Sequence, residues 1–262
     1  MLAAAMRRTV AWLTAILESI LFLWRLTQAL EPFLLLPVLA NPVMRRGTAC
    51  TSFSQGVVIG LTIFLPLYYE LVHKFSASDS GLALIPIVVM STPGSILAGR
   101  MMMFLDHYKR VPLVGLSCAI VALSLLAWNP SMHPITVAVV LSIVAFGIGT
   151  TYPVGTVSIQ NAVSRYQVGA AMGAMNFFRG LTAAFIVAAM GAILLAGLGV
   201  APERGGSTIV VAATANARGV DLAHVFRGVF AIAVLCLIIS LISLIWMEER
   251  PLRGRSAQTP VA

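Results

Sequence analysis

Val111 to Ser164, VPLVGLSCAIVALSLLAWNPSMHPITVAVVLSIVAFGIGTTYPVGTVSIQNAVS, runs without a single Lys, Arg, Asp or Glu. A bilayer core of about 30 Å is crossed by about 20 apolar residues as a helix, at about 1.5 Å each. The stretch is more than twice that long and therefore holds two spans. Trp128-Asn129-Pro130-Ser131-Met132-His133-Pro134, with two prolines and polar turn formers, divides them.

Working outward, further charge-free runs of span length cover Gly47–Tyr69, Ser80–Gly99, Gly180–Pro202 and Gly228–Met247. The apolar segment Thr9–Trp24, whose only charge is Glu18, adds one more. The expected fold class is all-α: a polytopic membrane protein with about seven transmembrane helices, over 9–25, 48–72, 80–104, 111–128, 135–158, 168–198 and 226–247. Composition agrees, since 59% of the 262 residues are hydrophobic and 10% charged, against about 25% charged in a soluble domain. Mean hydropathy is +0.96.

The formal charge of +8 would fit a nucleic-acid binder only if the basic residues shared a polar face. They stand instead in short groups between spans, the pattern of loops that orient a membrane protein. With the N-terminus outside, Arg25, Arg45, Arg46, Arg100, Lys109, Arg110, Arg165, Arg250, Arg253 and Arg255 fall on the inner side. Arg7, Arg8, Lys74, Arg204 and Arg218 fall outside, so ten against five favours N-out and C-in, in the cell's inner (plasma) membrane. Nucleic acid is excluded as a partner and the lipid bilayer takes its place.

Three domains are expected. Residues 1–47 hold the first helix and a connection with Pro32, Pro37 and Pro42, too broken to continue a helix. Residues 48–247 form a six-helix bundle, and 248–262 a disordered cytoplasmic tail. Between the last two spans, Thr208-Ile209-Val210-Val211 could form a strand of an outer hairpin. Cys50, Cys118 and Cys236 lack metal spacing and read as small packing residues. Gly56/Gly60 and Gly169/Gly173 are GxxxG pairs that let helix backbones approach.

Enzyme constellations are missing: no phosphate loop, no HExxH and no dinucleotide fingerprint, so neither an enzyme nor a cofactor is expected. A seven-helix retinal protein needs a lysine within a span, whereas Lys74 and Lys109 lie in loops. Polar groups at membrane depth are costly and become functional candidates. Glu18 and Arg179 are the charged ones, with snorkelling at the interface as the structural alternative for Arg179. Gln160 and Asn161 either pair across helices or line a cavity. Phe64, Tyr68 and Tyr69, followed by Glu70, fit an interfacial aromatic belt, or a cavity wall for an apolar cation with Glu70 as the attracting charge.

Several stretches resemble the C-terminal half of the fourteen-helix drug/proton antiporter branch of the major facilitator superfamily. They are Glu31-Pro32-Phe33-Leu34 through Asn41-Pro42, FLPLYYELVHKFSASDSGLALIP at 64–86, PGSILAGR at 93–100 and SIQNAVSRYQVGAAMGAMNFFRG at 158–180. The resemblance implies a six-helix C-terminal bundle preceded by one extra helix, and proton-driven export of small apolar or cationic compounds. Gly99, Arg100, Asp106, Lys109 and Arg110 resemble that family's inner-loop latch, although Asp106 lies seven residues after Gly99 and the later glycine is missing. Alternating access needs two bundles around a midplane site. The implied partners are thus a missing N-terminal half or a second copy, in addition to substrate and protons. On its own the chain is expected to be an inactive truncated or split product, the alternatives being a half-transporter or a non-transporting membrane interaction protein.

Overall fold

The computed structural model describes residues 41–104, 107–198 and 222–248. Its helices are α1 (Pro42–Val72), α2 (Ala77–Leu82), α3 (Ile85–Phe104), α4 (Arg110–Trp128), α5 (Pro134–Gly149), α6 (Thr151–Ala162), α7 (Val168–Leu198) and α8 (Leu222–Trp246), with a 3-10 turn at Arg165–Gln167. They make six spans long and apolar enough to cross a bilayer: α1, α2–α3, α4, α5–α6, the turn with α7, and α8. The helix expected at 9–25, the strand at 208–211 and the tail beyond Glu248 lie outside the described residues.

Local chemistry moves three boundaries from their expected places. The helix expected over 48–72 begins earlier, at Pro42, because proline at a first helical position has no N–H to leave unpaired. Asn41 caps that start: its Oδ1 accepts from the Val43 N–H at 3.0 Å, and its Nδ2 donates to the Ala162 carbonyl at 3.1 Å, tying α1 to the end of α6. The span expected at 80–104 starts earlier, at α2, whose N-cap Ser76 accepts from the Asp79 N–H.

The span expected at 135–158 is two helices meeting at Thr150. Pro153 has no N–H, so the Gly149 carbonyl loses its donor four residues on. Ser95 of α3 supplies the replacement, with Oγ donating to that carbonyl at 2.8 Å. A break in one helix is thus stitched to its neighbour.

α1 and α5–α6 form the axis: half or more of the residues in their most apolar 18-residue stretch are enclosed (50% and 56%), against 17% for α2–α3. Close backbone contact holds the α5 side together. A Cβ at Gly94 would lie 2.2 Å from the Phe146 carbonyl oxygen, and one at Gly147 would lie 2.1 Å from that of Gly115. Helices in lipid associate by such approach because burial offers little drive there. Gly56 and Gly60 receive Ile186 and Met190 of α7, whereas a Cβ at Gly169 or Gly173 would meet nothing within 4 Å. The second GxxxG pair therefore packs against nothing described. On the other flank, Ser240 of α8 donates to the Cys50 carbonyl at 2.9 Å and lies 2.7 Å from the Ser54 hydroxyl, a buried polar link between α8 and α1. Cys50 and Cys236 are buried; Cys118 is exposed.

Candidate functional site

The spans alternate in direction, so the bundle has two ends. One collects the N-terminus of α1, the C-termini of α6 and α8 and the residues around Lys109; the other collects the C-terminus of α1 and the turn before α5. We call them the basic and the aromatic end.

Arg179 lies in the first half of α7, which begins at Val168, and Tyr152 lies near the start of α6, which ends at Ala162. Counted from the basic ends of their helices, both positions lie about 15 Å along the axis at about 1.5 Å per residue. The guanidinium carbon sits 4.7 Å from the Tyr152 ring centre. Nη1 donates to Asn176 Oδ1 at 3.1 Å and, at 3.4 Å, to the Tyr152 hydroxyl. Nε is buried and has no partner. The Arg179 guanidinium thus lies against Tyr152 and Asn176.

Tyr152 also borders a recess of about 170 Å³ between α1, α3 and α5–α6, lined by Thr51, Gln55, Ser91, Ser95 and Thr151 among others. The hydroxyls there are engaged with backbone carbonyls: Thr51 to Gly47 at 3.0 Å, Ser91 to Val88 at 2.8 Å and Thr151 to Ile148 at 2.7 Å. Of the recess lining, the Tyr152 phenol and the Gln55 amide remain to meet a ligand or a partner surface. Described carboxylates belong elsewhere, with Glu70, Asp79 and Glu248 near the bundle ends. A cation within a span with no described carboxylate beside it is costly and is a functional candidate.

The other expected residues are distributed as follows. Tyr68 and Tyr69 are fully enclosed. The Tyr68 hydroxyl donates to the Pro130 carbonyl at 2.5 Å, so the 3.0 Å contact from His73 Nε2 has the imidazole as donor. Tyr68 meets Tyr69, His73, Phe226 and Phe230 edge to face at 5.2–5.4 Å, and Phe75 stacks on Tyr69. Burial, helped by His133 nearby, holds the His73 imidazole below its ordinary pKa. Phe64 reaches toward Gly191 of α7, and Glu70 is half-buried on the last turn of α1. Gln160, exposed near the basic end, comes within 3.8 Å of Met172 Sδ across the α6–α7 turn; Asn161 beside it is half-buried. Neither joins the Arg179 cluster.

Of the expected latch, Gly99 touches nothing within 4 Å of its Cβ direction, and Arg100 and Arg110 are exposed. Lys109 Nζ donates to the carbonyls of Ile245 and Met247 at the end of α8. Arg46 does the same to Trp246 at 2.5 Å. Glu18 and Asp106 lie outside the described residues. Sequence reasoning missed Tyr152, Asn176, Gln55 and Arg46. The one available signal was the i, i+3 spacing of Asn176 and Arg179, which puts both on one helix face.

The sequence pattern of the Major Facilitator Superfamily matches residues 8–188. An uncharacterized MFS-type transporter of Mycobacterium tuberculosis is 29% identical over 206 residues, 71% of this chain and 29% of that protein. A tetracycline resistance determinant of Streptomyces rimosus is 27% identical over 143 residues, 52% of this chain and 41% of its own. The multidrug transporter protein MdtP of Bacillus subtilis is 22% identical over 168 residues, 64% of this chain and 31% of its own. The chain thus matches well under half the length of each of these relatives.

Proposed function

This chain belongs to the Major Facilitator Superfamily, and from that premise we propose that it is one bundle of an efflux transporter of the fourteen-helix drug/proton antiporter branch. Its Arg179–Tyr152–Asn176 cluster forms one wall of the substrate path. The observation that carries this reading is the guanidinium fixed on Tyr152 within a span, with no carboxylate beside it among the described residues. Transporter sites lie near the midplane between two bundles, so the opposite wall comes from an N-terminal half or from a second copy. The names of the Streptomyces and Bacillus relatives support drug export as the activity.

Arg45, Arg46, Arg100, Lys109, Arg110 and Arg165 gather at the basic end, while Lys74 lies at the other. The positive-inside rule then favours a cytoplasmic basic end in the plasma membrane. The described wall carries no carboxylate, so in this reading the coupling proton rides on the opposite bundle or on the substrate.

Efflux of ethidium and tetracycline from proteoliposomes under a pH gradient tests the proposal. Flux from this chain alone, lost in Arg179→Ala, assigns the opposite wall to a second copy. Flux that needs a separately produced N-terminal half, and is again lost in Arg179→Ala, assigns it to that half. Flux that survives Arg179→Ala contradicts the proposed wall.

A further inference from the structure

α3 and α4 both pack closely on α5 but scarcely touch each other. Gly94 brings α3 against Phe146, and Gly115 of α4 meets Gly147, so each helix settles on α5 and a slot opens between the two. The slot has a volume of about 360 Å³ and is lined by Leu97, Arg110, Val114, Cys118, Ile143 and Phe146 among others. It opens sideways, toward the membrane, since Leu97, Val114, Cys118 and Ile143 are all exposed.

The length of α4 sets the depth. Its 19 residues make about 28 Å of helix, close to a hydrocarbon core of about 30 Å. Arg110 at its first position and Trp128 at its last therefore stand at the two interfaces, where such side chains anchor a span. Cys118 lies two turns further in, about 12 Å from Arg110 along the axis, against about 15 Å for half the core. The slot is thus one leaflet tall, with its mouth at the head groups.

Its interior suits a hydrocarbon chain and not water. Among the described lining residues Thr150 bears the one hydroxyl, spent on the Gly147 carbonyl at 2.6 Å, and Arg110 the one charge. The mouth, by contrast, carries cations from two helices. Arg110 borders it on α4, and Arg100 stands three residues beyond Leu97 on the same face of α3, one turn nearer the basic end. Both are exposed, and neither has a hydrogen bond or ion pair among the described residues. Lys109, next to Arg110, is turned away to the carbonyls that end α8.

We propose that the slot holds one acyl chain of an anionic phospholipid from the leaflet at the basic end, with the lipid phosphate between Arg100 and Arg110. An apolar slot open to the membrane takes its filling from the bilayer, and the two arginines select the head. Guanidinium forks match phosphate oxygens in geometry as well as charge. The site is separate from the Arg179 cluster and stands whether or not the chain transports.

Native mass spectrometry and thiol alkylation of the full chain in dodecyl maltoside test it, with phosphatidylglycerol and phosphatidylcholine of identical chains as probes. Cys118 is exposed whereas Cys50 and Cys236 are buried, so N-ethylmaleimide reports on the slot itself. Phosphatidylglycerol should be retained about fivefold better than phosphatidylcholine, the yield of an interfacial ion pair, and should slow alkylation of Cys118. Arg100→Gln with Arg110→Gln should abolish both effects, while Arg165→Gln, a cation lost elsewhere at the same end, should leave them unchanged. Val114→Trp, which fills the slot and keeps both arginines, should lower phosphatidylglycerol retention as well. Equal protection of Cys118 by the two lipids, or protection by phosphatidylglycerol that survives the double variant, would overturn the site. Protection that grows with protein concentration in the absence of lipid would overturn the lipid and give the slot to a second copy of the chain.

Discussion

The two ends of the bundle are closed by opposite means. At the aromatic end, Tyr68, Tyr69, His73, Phe75, Phe226 and Phe230 pack ring against ring, and the Tyr68 hydroxyl is spent on the Pro130 carbonyl. At the basic end, Arg46 and Lys109 place cations on the last carbonyls of α8, where the helix dipole welcomes them. Both ends clasp α1 to α8 or its neighbours. One clasp is dry and directional; the other is wet, screened by salt and exchangeable with water.

The largest expected effect is at the dry clasp. Tyr68→Ala removes an enclosed ring, for which about 3–5 kcal/mol is the usual range in aromatic truncations. The thermal midpoint in detergent should fall sharply and by the same amount at low and high salt. Tyr68→Phe keeps the ring and strands the buried Pro130 carbonyl, about 1–3 kcal/mol; an unchanged midpoint there would deny that the hydroxyl matters. At the wet clasp, Lys109→Ala or Arg46→Ala should cost about 0.3–1 kcal/mol each, and the loss should disappear in 1 M salt, where the screening length is about 3 Å. A loss that persists in 1 M salt would make the two ends alike.

The smallest effect is a pH dependence of the aromatic end alone. His73 is held below its ordinary pKa, so the unfolded chain takes the proton first as pH falls. Stability is fully present above the unfolded value of about 6.5, declines as pH drops below it, and reaches its floor once the folded His73 is itself protonated. His73→Gln should flatten the midpoint between pH 7.5 and 5; an undiminished slope would assign it to His133 or elsewhere.

The six spans could be read from the chain because charge-free length is a direct image of bilayer thickness, and the turn at 128–134 announced itself with Pro130 and Pro134. The break at Thr150 could be suspected from Pro153, but not its repair, which depends on Ser95 from a helix far back along the chain. Gly56/Gly60 and Gly169/Gly173 are the same motif, and among the described residues only the first meets a neighbour. Spacing gives the shape of a helix face, not what stands opposite it. Arg179 was legible as a costly charge, whereas its ring partner Tyr152 was not, since an aromatic in an apolar span carries no signal of its own. Tyr68 and Tyr69 have the composition of an interfacial belt, and only the third dimension encloses them.

In the proposed transporter the face bearing Gln55, Tyr152 and Arg179 borders an aqueous path, while the stripe of α8 bearing Leu235 faces lipid. Gln55 and Leu235 stand near the middles of their helices, Pro42–Val72 and Leu222–Trp246, so both are far from either membrane surface, and Leu235 is 56% exposed. In a chain whose three cysteines are replaced by alanine, single cysteines at these two positions can be challenged in native membranes with a charged, membrane-impermeant thiol reagent. Gln55→Cys should be modified and Leu235→Cys should resist. Equal protection of both, or modification of Leu235→Cys alone, would contradict it.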